Sequence, residues 1–406
     1  MNRNSLRILA GLVIGFSIGT ILSGGPSEDA VGRWAQPVGK LWLDALTMTV
    51  VPLVFSLLVS GVMNAASHAS DAAVAARSLM WFALLLLAAS LLSIGVTLLA
   101  LQVSPLPQAA HALPASAGPA SDIHLPSDWL GAIIPTNVVQ AAASTAMVPL
   151  VVFALLLGVA ATRIEDDLAQ HLERTFRGIA QAMLVIVQWV LWLAPLGVFA
   201  LGIGVGLRLG GSAAGVLAHY VVVIIVACLA AAILSYVAAV LFGRIGLLAF
   251  ARAALPAQAI AISTQSSLAS LPAMVEAAEP LGISKTAAGV VLPLAVSLFR
   301  AASAGANMAV AIYLAHVHGV PLAAGPLLLA AVVAAAVSVA AVGLPAQVSF
   351  FAIIAPVCLA LGVPVTLLPL LLAIETLPDV FRTLGNVTAD LAVARIVARK
   401  TTARPL

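Results

Sequence analysis

The sequence predicts an all-α integral membrane protein, because long apolar segments alternate with short polar loops and charged residues are scarce. Of the 406 residues, 63% are apolar and 8% are charged, and the mean hydropathy is +1.16. A soluble protein is typically about 25% charged, so these few charged side chains could not cover a surface in water. The composition therefore excludes a cytosolic globular enzyme, a nucleic-acid-binding protein and a disordered chain.

Six apolar segments in the first 250 residues are long enough to cross a membrane. A helix needs roughly 20 residues to span about 30 Å of hydrocarbon. The segments comprise residues 6–22, 41–65, 79–103, 129–161, 179–207 and 213–242. Residues 104–126, which are rich in Ala, Pro, Ser and His, predict an exposed loop. The first segment lacks a small-residue cleavage site, which favours a retained helix over a removed signal peptide.

Two later apolar segments are interrupted by residues that disfavour a plain spanning helix. Residues 254–272 hold a cluster of Ser and Thr and end at Pro272, and the second interruption runs from Gly343 to Gln347. Non-helical backbone at membrane depth must be buried in protein or line a cavity, and paired broken segments indicate a transporter's binding site. We interpret both as re-entrant helical hairpins, with two kinked spanning helices as the alternative.

The lysine and arginine residues predict an orientation. With eight crossing helices and two re-entrant hairpins, 13 of the 18 cationic residues lie on the side of the N-terminus and three on the opposite side. Cytoplasmic loops carry the excess of Lys and Arg, so both termini are expected in the cytoplasm. The two remaining cations, Arg300 and Arg382, fall inside apolar helices.

Polar side chains form a stripe on the last apolar helix. At about 100° per residue they project within roughly 100° of arc. A charge at mid-membrane costs about 2.5–3.5 kcal/mol, which favours a functional role. The stripe comprises Glu375, Asp379, Arg382, Thr383, Asn386 and Asp390.

The composition of this stripe predicts a binding face. Arg382 offers a planar fork for a carboxylate, Asp379 an acceptor for an ammonium group, and Thr383 and Asn386 uncharged hydrogen bonds. An internal ladder of salt bridges is the alternative interpretation.

Four motifs resemble those of the dicarboxylate/amino acid:cation symporters, the family that includes the glutamate transporters. The similarity extends over nearly the whole chain and is most specific in the last helix. The motifs are MTVVPLVF at 48–55, Ser266-Ser267 with Ser270 and Pro272, VLPL at 291–294 and DVFRTLGNVTAD at 379–390.

The resemblance implies an elevator-type transporter that assembles as a homotrimer in the cell inner membrane. Residues 1–250 would form mainly the scaffold helices one to six, of which helices three and six move with the transport unit. Residues 251–398 would form the transport core of two hairpins and helices seven and eight. The resemblance also implies that Asp379 holds the substrate's amino group, that Arg382 holds its side-chain carboxylate, and that Ser266 and Ser267 lie at the tip of the first hairpin.

The sequence departs from the family where sodium binds. The seventh-helix motif Asn-Met-Asp-Gly-Thr is replaced by residues 299–303, Phe-Arg-Ala-Ala-Ser, and third-helix hydroxyl positions are Leu85, Ala88 and Ala89. We therefore expect sodium-independent transport and no bound metal. We expect Arg300 to lie within salt-bridge reach of Asp390, or otherwise of Glu375 or Asp379; a guanidinium that extends to water or lipid is the alternative.

These observations predict secondary transport of glutamate or aspartate, with protons as the coupled ion. Glu375 is the favoured proton carrier and Asp390 the second candidate; a static role of Glu375 in orienting the helix is the alternative. A C4-dicarboxylate transporter, or a transport-inactive structural or sensor protein, remains open. The sequence shows no nucleophile–base pair and no metal-ligand spacing, so we expect neither an enzyme nor a cofactor, and no partner besides substrate, protons, lipid and other copies of the chain.

Overall fold

The computed structural model describes residues 3–26, 28–67, 72–113, 133–340 and 346–401. Helices joined by turns make up this part of the chain, and no strand occurs in it, which confirms the all-α class. The helices of the first part are α1 (Arg3–Leu22), α2 (Glu28–Thr47), α3 (Val50–Ser67), α4 (Ala72–Val103), α5 (Val138–Ala143), α6 (Met147–Ala161), α7 (Asp166–Trp192), α8 (Ala194–Leu209) and α9 (Ala213–Leu241). The later helices are α10 (Leu247–Thr264), α11 (Ser267–Ala278), α12 (Lys285–Leu298), α13 (Ala301–His318), α14 (Ala324–Ala340), α15 (Ala346–Ala360), α16 (Leu368–Leu372) and α17 (Thr376–Thr401).

Several helices are long and apolar enough to cross a membrane, as expected for a multi-pass protein. Six such stretches occur among the described residues. They are Glu28–Asn64, Val74–Val103, Asp166–Trp192, Ala214–Leu241, Leu247–Thr264 and Lys285–His318. The total of eight crossings and the elevator arrangement stay predictions.

Three of the predicted apolar segments contain a turn between two helices. Residues 41–65 divide between α2 and α3, and α2 begins earlier, at Glu28. A turn in which Thr145 has a φ of 52° separates α5 from α6 within residues 129–161. Residues 179–207 divide at Leu193 because Pro195, in the first turn of α8, lacks the N–H that a continuous helix would use.

The predicted loop at residues 104–126 is only partly described. It contains a short 3₁₀ helix, Gln108–Ala112, whose Ala110 is buried. Residues 114–126 of the predicted loop lie outside the described residues.

The first predicted hairpin is a pair of packed helices. Gln265 ends α10 in the left-handed conformation, with a φ of 53°, and Ser266 is the N-terminal cap of α11. The 12 residues of α11 extend only about 18 Å, too short to cross the hydrocarbon core. The second predicted hairpin has two packed arms, α14 and α15, and the part of its interruption at 341–345 lies outside the described residues.

The seventh apolar helix is broken, which the sequence analysis did not predict. Phe299 and Arg300 are non-helical, with φ of −115° and −137°, and separate α12 from α13. The Phe299 ring stacks on Phe82 of α4 with 4.6 Å between ring centroids. This stacking fixes the break against α4 and leaves Arg300 at the start of α13.

The last helix, α17, lies in the interior. It packs against α9, α10, α11, α12 and α13. Consequently its C-terminal part is buried on every side, including the polar residues Thr388 and Asp390. The part of the polar stripe from Arg382 to Asp390 is therefore buried against other helices.

Candidate functional site

The Arg382 guanidinium on α17 is already engaged by protein groups. Nη2 donates a hydrogen bond to Oε1 of Glu375 in a buried ion pair, and Nη1 donates to Oδ1 of Asn307 at 3.1 Å. Arg382 is 8% exposed and Glu375 6% exposed. The Nε of Arg382 has no hydrogen-bond partner among the described residues. Of the alternative interpretation, an internal ladder of salt bridges, this one ion pair is present among the described residues.

Glu375 lies just before α17 and is held on both sides. Its Oε2 accepts a hydrogen bond of 3.1 Å from the hydroxyl of Tyr220 on α9. The Tyr220 side chain is fully buried, and its ring meets that of Tyr313 edge-on at 5.3 Å between centroids. Sequence reasoning missed Tyr220, since an isolated tyrosine in an apolar helix gives no signal of its partner.

Asn307 links Arg382 to the second hairpin. Its Oδ1 accepts from Arg382, while its Nδ2 donates to Oγ of Ser338 on α14 at 3.5 Å. Both Asn307 and Ser338 are buried. The sequence analysis did not predict this role of Asn307. The one available indication was its polar amide in the middle of the apolar helix α13.

Asn386 on α17 fastens the start of α13. Its Nδ2 donates to Oγ of Ser303 at 3.0 Å, and its Oδ1 accepts from the Ser303 backbone N–H at 3.2 Å. Both ends of the Asn386 amide are therefore engaged by one residue. In this conformation Asn386 positions α13 against α17.

Asp379 presents a carboxylate that no described side chain engages by hydrogen bond or ion pair. It lies one turn before Arg382 and is partly exposed. The Thr383 hydroxyl donates to the backbone carbonyl of Asp379 at 2.8 Å. Asp379 is thus the acceptor on the stripe that remains available to a ligand.

The tip of the first hairpin meets the start of α17. Nε2 of Gln265 donates to the Thr376 carbonyl at 3.4 Å. Oγ of Ser266 accepts from the Ala269 backbone N–H at 3.2 Å and caps α11. Ser266 and Ser267 are half-buried at this tip. The structure therefore brings the predicted serines to the same end of α17 as Asp379.

The predicted ion pair of Arg300 is not formed. Among the described residues, Arg382–Glu375 is the only ion pair of the stripe within 4.0 Å, and Arg300 donates no hydrogen bond. Arg300 nevertheless acts electrostatically on Asp379 and Asp390 from a longer distance.

Asp390 is the most isolated carboxylate of the stripe. It is 0% exposed, and neither side-chain oxygen has a hydrogen-bond partner among the described residues. Buried polar groups are usually hydrogen-bonded, because an unpaired group loses its water without compensation. Arg300 is the charged group whose field acts on it.

At the positions where the resemblance implies sodium ligands, three side chains are apolar here. Leu85 and Ala89 of α4 and Ala301 of α13 pack as buried apolar side chains, and the adjacent Phe299 stacks on Phe82. Sodium prefers oxygen ligands, which these side chains lack. The nearby fixed cation of Arg300 further disfavours a second positive charge.

Comparison with known proteins identifies the family. The sequence profile of the Sodium:dicarboxylate symporter family matches residues 5–400. The chain belongs to this family. The chain is 25% identical over 407 residues to the proton/sodium-glutamate symport protein of Bacillus caldotenax, covering 97% of this chain and 93% of that protein. It is 27% identical over 408 residues to C4-dicarboxylate transport protein 1 of Pseudomonas paraeruginosa, covering 98% and 90%.

The name of a third relative includes aspartate as well as glutamate. The proton/glutamate-aspartate symporter of Escherichia coli is 25% identical over 410 residues, covering 97% of this chain and 92% of that protein. The predicted family is therefore confirmed, and the chain is a member of a family of membrane transporters rather than enzymes.

Proposed function

We propose that this symporter-family member is a secondary active transporter of an acidic amino acid, L-glutamate or L-aspartate, in the cell inner membrane. One observation carries the proposal: Arg382 and an unengaged Asp379 lie one turn apart on α17. A guanidinium fork binds a carboxylate in two parallel hydrogen bonds, and a carboxylate binds an ammonium group. An acidic amino acid carries both of these groups.

Each residue of the site has a role in this proposal. Arg382 binds the side-chain carboxylate of the substrate, and Asp379 binds its α-ammonium group. Ser266 and Ser267 at the tip of the first hairpin offer hydroxyl and backbone donors to the α-carboxylate. Thr383 steadies the backbone at Asp379, as its hydrogen bond to that carbonyl supports. Asn386 acts through Ser303 and is a positioning residue.

Family membership alone is equally compatible with two alternative functions. A C4-dicarboxylate carries no ammonium group, so a transporter of that class would leave Asp379 without a ligand partner. A transport-inactive sensor or structural protein would not need a binding face with buried charges, which are costly to place in a membrane. Asp379 and Arg382 together therefore favour the amino acid transporter.

We infer that transport proceeds without sodium. The apolar packing of Leu85, Ala89 and Ala301 and the cation of Arg300 support this. A guanidinium is effectively always charged, so Arg300 supplies permanently a positive field that a mobile cation would supply only while bound.

We further infer that residues 251–398, with helices three and six, move as one transport unit against the scaffold of residues 1–250 in a homotrimer. Residues of α4 and α9 pack into one hydrophobic core with α10, α11, α12 and α17. This shared core supports movement of α4 and α9, which correspond to helices three and six, with the transport unit.

Binding to the purified protein tests the substrate class. Wild-type protein in detergent is titrated with L-glutamate, L-aspartate and succinate, and the two amino acids are expected to bind more tightly. Arg382→Ala is expected to abolish binding, because it removes the partner of the ligand's carboxylate in a buried site. Arg174→Ala, which removes an exposed arginine on α7, is the matched control and is expected to bind like the wild type.

Two results would contradict the assignment. Unchanged glutamate binding by Arg382→Ala would show that the fork does not bind the substrate. Tighter binding of succinate than of both amino acids would make the protein a dicarboxylate transporter.

A further inference from the structure

Arg300 is a cation in a membrane-spanning stretch that no described residue engages. It makes neither a hydrogen bond nor an ion pair within the described part of the chain, and it is partly buried at the start of α13. A guanidinium carries five N–H donors, and leaving them without partners away from bulk water costs free energy. A cation in this position therefore indicates a group that binds a ligand.

Arg300 lies beside the proposed substrate site. Ser303, in the first turn of α13, is hydrogen-bonded through its hydroxyl and its backbone N–H to Asn386 of α17. Asn386 follows Arg382 by one turn of the same helix. The charge of Arg300 acts on both Asp379 and Arg382, the two residues that the proposed function assigns to charged groups of the substrate.

Arg300 and Asp379 are opposite charges that attract each other without pairing. No ion pair joins them, so their charged atoms lie more than 4.0 Å apart. The ammonium group and the α-carboxylate of an amino acid are attached to one carbon atom. A site that binds both groups therefore needs an acceptor and a cation that lie near each other and are not paired with each other. Asp379 and Arg300 meet this requirement.

An acidic amino acid has three charged groups, and the site offers a charged partner for each. The proposed function assigns its side-chain carboxylate to Arg382 and its ammonium group to Asp379. For the α-carboxylate it names only uncharged donors, those of Ser266 and Ser267, and the Ser266 hydroxyl oxygen already caps α11. Arg300 is the cation that remains for this third group.

We propose that Arg300 binds the α-carboxylate of the substrate, so that two arginines hold the two carboxylates of one acidic amino acid. The inference rests on the proposed function and deepens it, because it names the residue that selects for a free α-carboxylate. N–H groups of Arg300 donate to the α-carboxylate oxygens, while the neighbouring ammonium group donates to Asp379. Ser266 and Ser267 add uncharged donors from the hairpin tip.

A role of Arg300 at a distance is the competing explanation. Its charge also acts on Asp390, which is fully buried and out of reach of a ligand. An action at a distance requires only the charge, whereas two parallel hydrogen bonds to a carboxylate require the planar fork of a guanidinium. Arg300→Lys, which keeps the charge and removes the fork, separates the two explanations.

Binding of L-glutamate and of its α-amide, L-isoglutamine, tests the proposal. The amide differs only at the α-carboxylate, where it carries no negative charge. Each ligand is titrated by calorimetry into the purified full-length protein in detergent. The wild type is expected to bind L-glutamate roughly 10- to 150-fold more tightly than the amide, as for hydrogen bonds to a charged group. Arg300→Gln is expected to reduce this preference to less than about threefold by weakening the binding of L-glutamate alone.

Two further variants complete the design. Arg252→Gln, which makes the same change at an exposed arginine of α10, is the matched control and is expected to keep the wild-type preference. Arg300→Lys is expected to show a preference at least about threefold below that of the wild type, because an ammonium group lacks the fork. It also keeps the proposal testable if Arg300→Gln does not fold.

The outcomes separate this inference from the proposed function. A wild-type preference for L-glutamate in Arg300→Gln or in Arg300→Lys would overturn it, and so would an equal loss of both ligands in Arg300→Gln. In each of these cases the proposed function stands if the wild type binds L-glutamate and Arg382→Ala does not. Failure of the wild type to bind glutamate, aspartate or succinate would overturn the proposed function itself.

Discussion

A guanidinium presents its N–H donors in one plane, and Arg382 directs two of its nitrogens to groups from two parts of the chain. Glu375 precedes α17, Asn307 belongs to α13, and Nε is left without a described partner. This arrangement keeps a buried cation paired and at the same time leaves one donor available. Breaking a buried ion pair without a replacement partner is strongly destabilising. A substrate carboxylate that replaces Glu375 must therefore pair with the Arg382 guanidinium as closely as Glu375 does.

Asp379 provides the sharpest test of substrate identity at this scale. Asp379→Asn keeps the size of the side chain and removes its charge. A hydrogen bond to a charged group contributes about 1.5–3 kcal/mol, so affinity for L-glutamate should fall roughly 10- to 150-fold. Competition binding measures the loss.

Succinate serves as the internal reference for Asp379→Asn because it has no ammonium group. Its affinity should change less than about threefold, a difference below 1 kcal/mol. An equal loss for succinate and glutamate would show that Asp379 shapes the site without contacting an ammonium group.

The helices α1 and α8 pack closely against each other through glycines. A Cβ built on Gly11 would lie 2.5 Å from the Pro195 carbonyl oxygen, and one on Gly15 would overlap the carbonyl of Phe199. Small residues allow helix backbones to approach closely where lipid offers no hydrophobic driving force. The glycines of α1 therefore determine how this helix seats on α8.

Gly15→Ala tests this contact. The added methyl group must displace backbone, so we expect destabilisation of about 1–3 kcal/mol and a lower midpoint of thermal unfolding in detergent. Gly204→Ala on α8 is the matched control, because a Cβ there meets nothing within 4 Å. An unchanged midpoint for Gly15→Ala would mean that α1 can shift away from α8 at no cost.

The sequence predicts those features that depend on local periodicity or composition. It does not predict those that depend on a contact with a distant helix. The stripe on α17 and the first hairpin follow from spacing and from the serine cluster. The break at Phe299–Arg300 depends on stacking against Phe82, and the roles of Tyr220 and Asn307 depend on contacts with a distant helix. For the same reason the predicted contact of Arg300 with Asp390 is wrong: helix spacing gives no account of a break in the backbone.

At the scale of the whole molecule, the interior holds two arginines and three carboxylates in and next to α13 and α17. Arg382 pairs with Glu375, and Arg300 acts on Asp379 and Asp390 through its charge without an ion pair. Other family members are named for sodium, but here Arg300 stands at the break before α13 and apolar side chains fill the adjoining space. In the proposed mechanism, Arg300 is the permanent positive charge and a proton is the mobile one.

Uptake into liposomes tests this central claim most directly. The purified protein is reconstituted, and uptake of labelled L-glutamate is measured with an imposed pH gradient, acidic outside, in sodium or in choline medium. We predict equal uptake in the two media and loss of accumulation when the pH gradient is collapsed. Uptake that requires sodium and ignores the pH gradient would contradict the account, since it would mean that oxygen atoms other than these side chains form a sodium site.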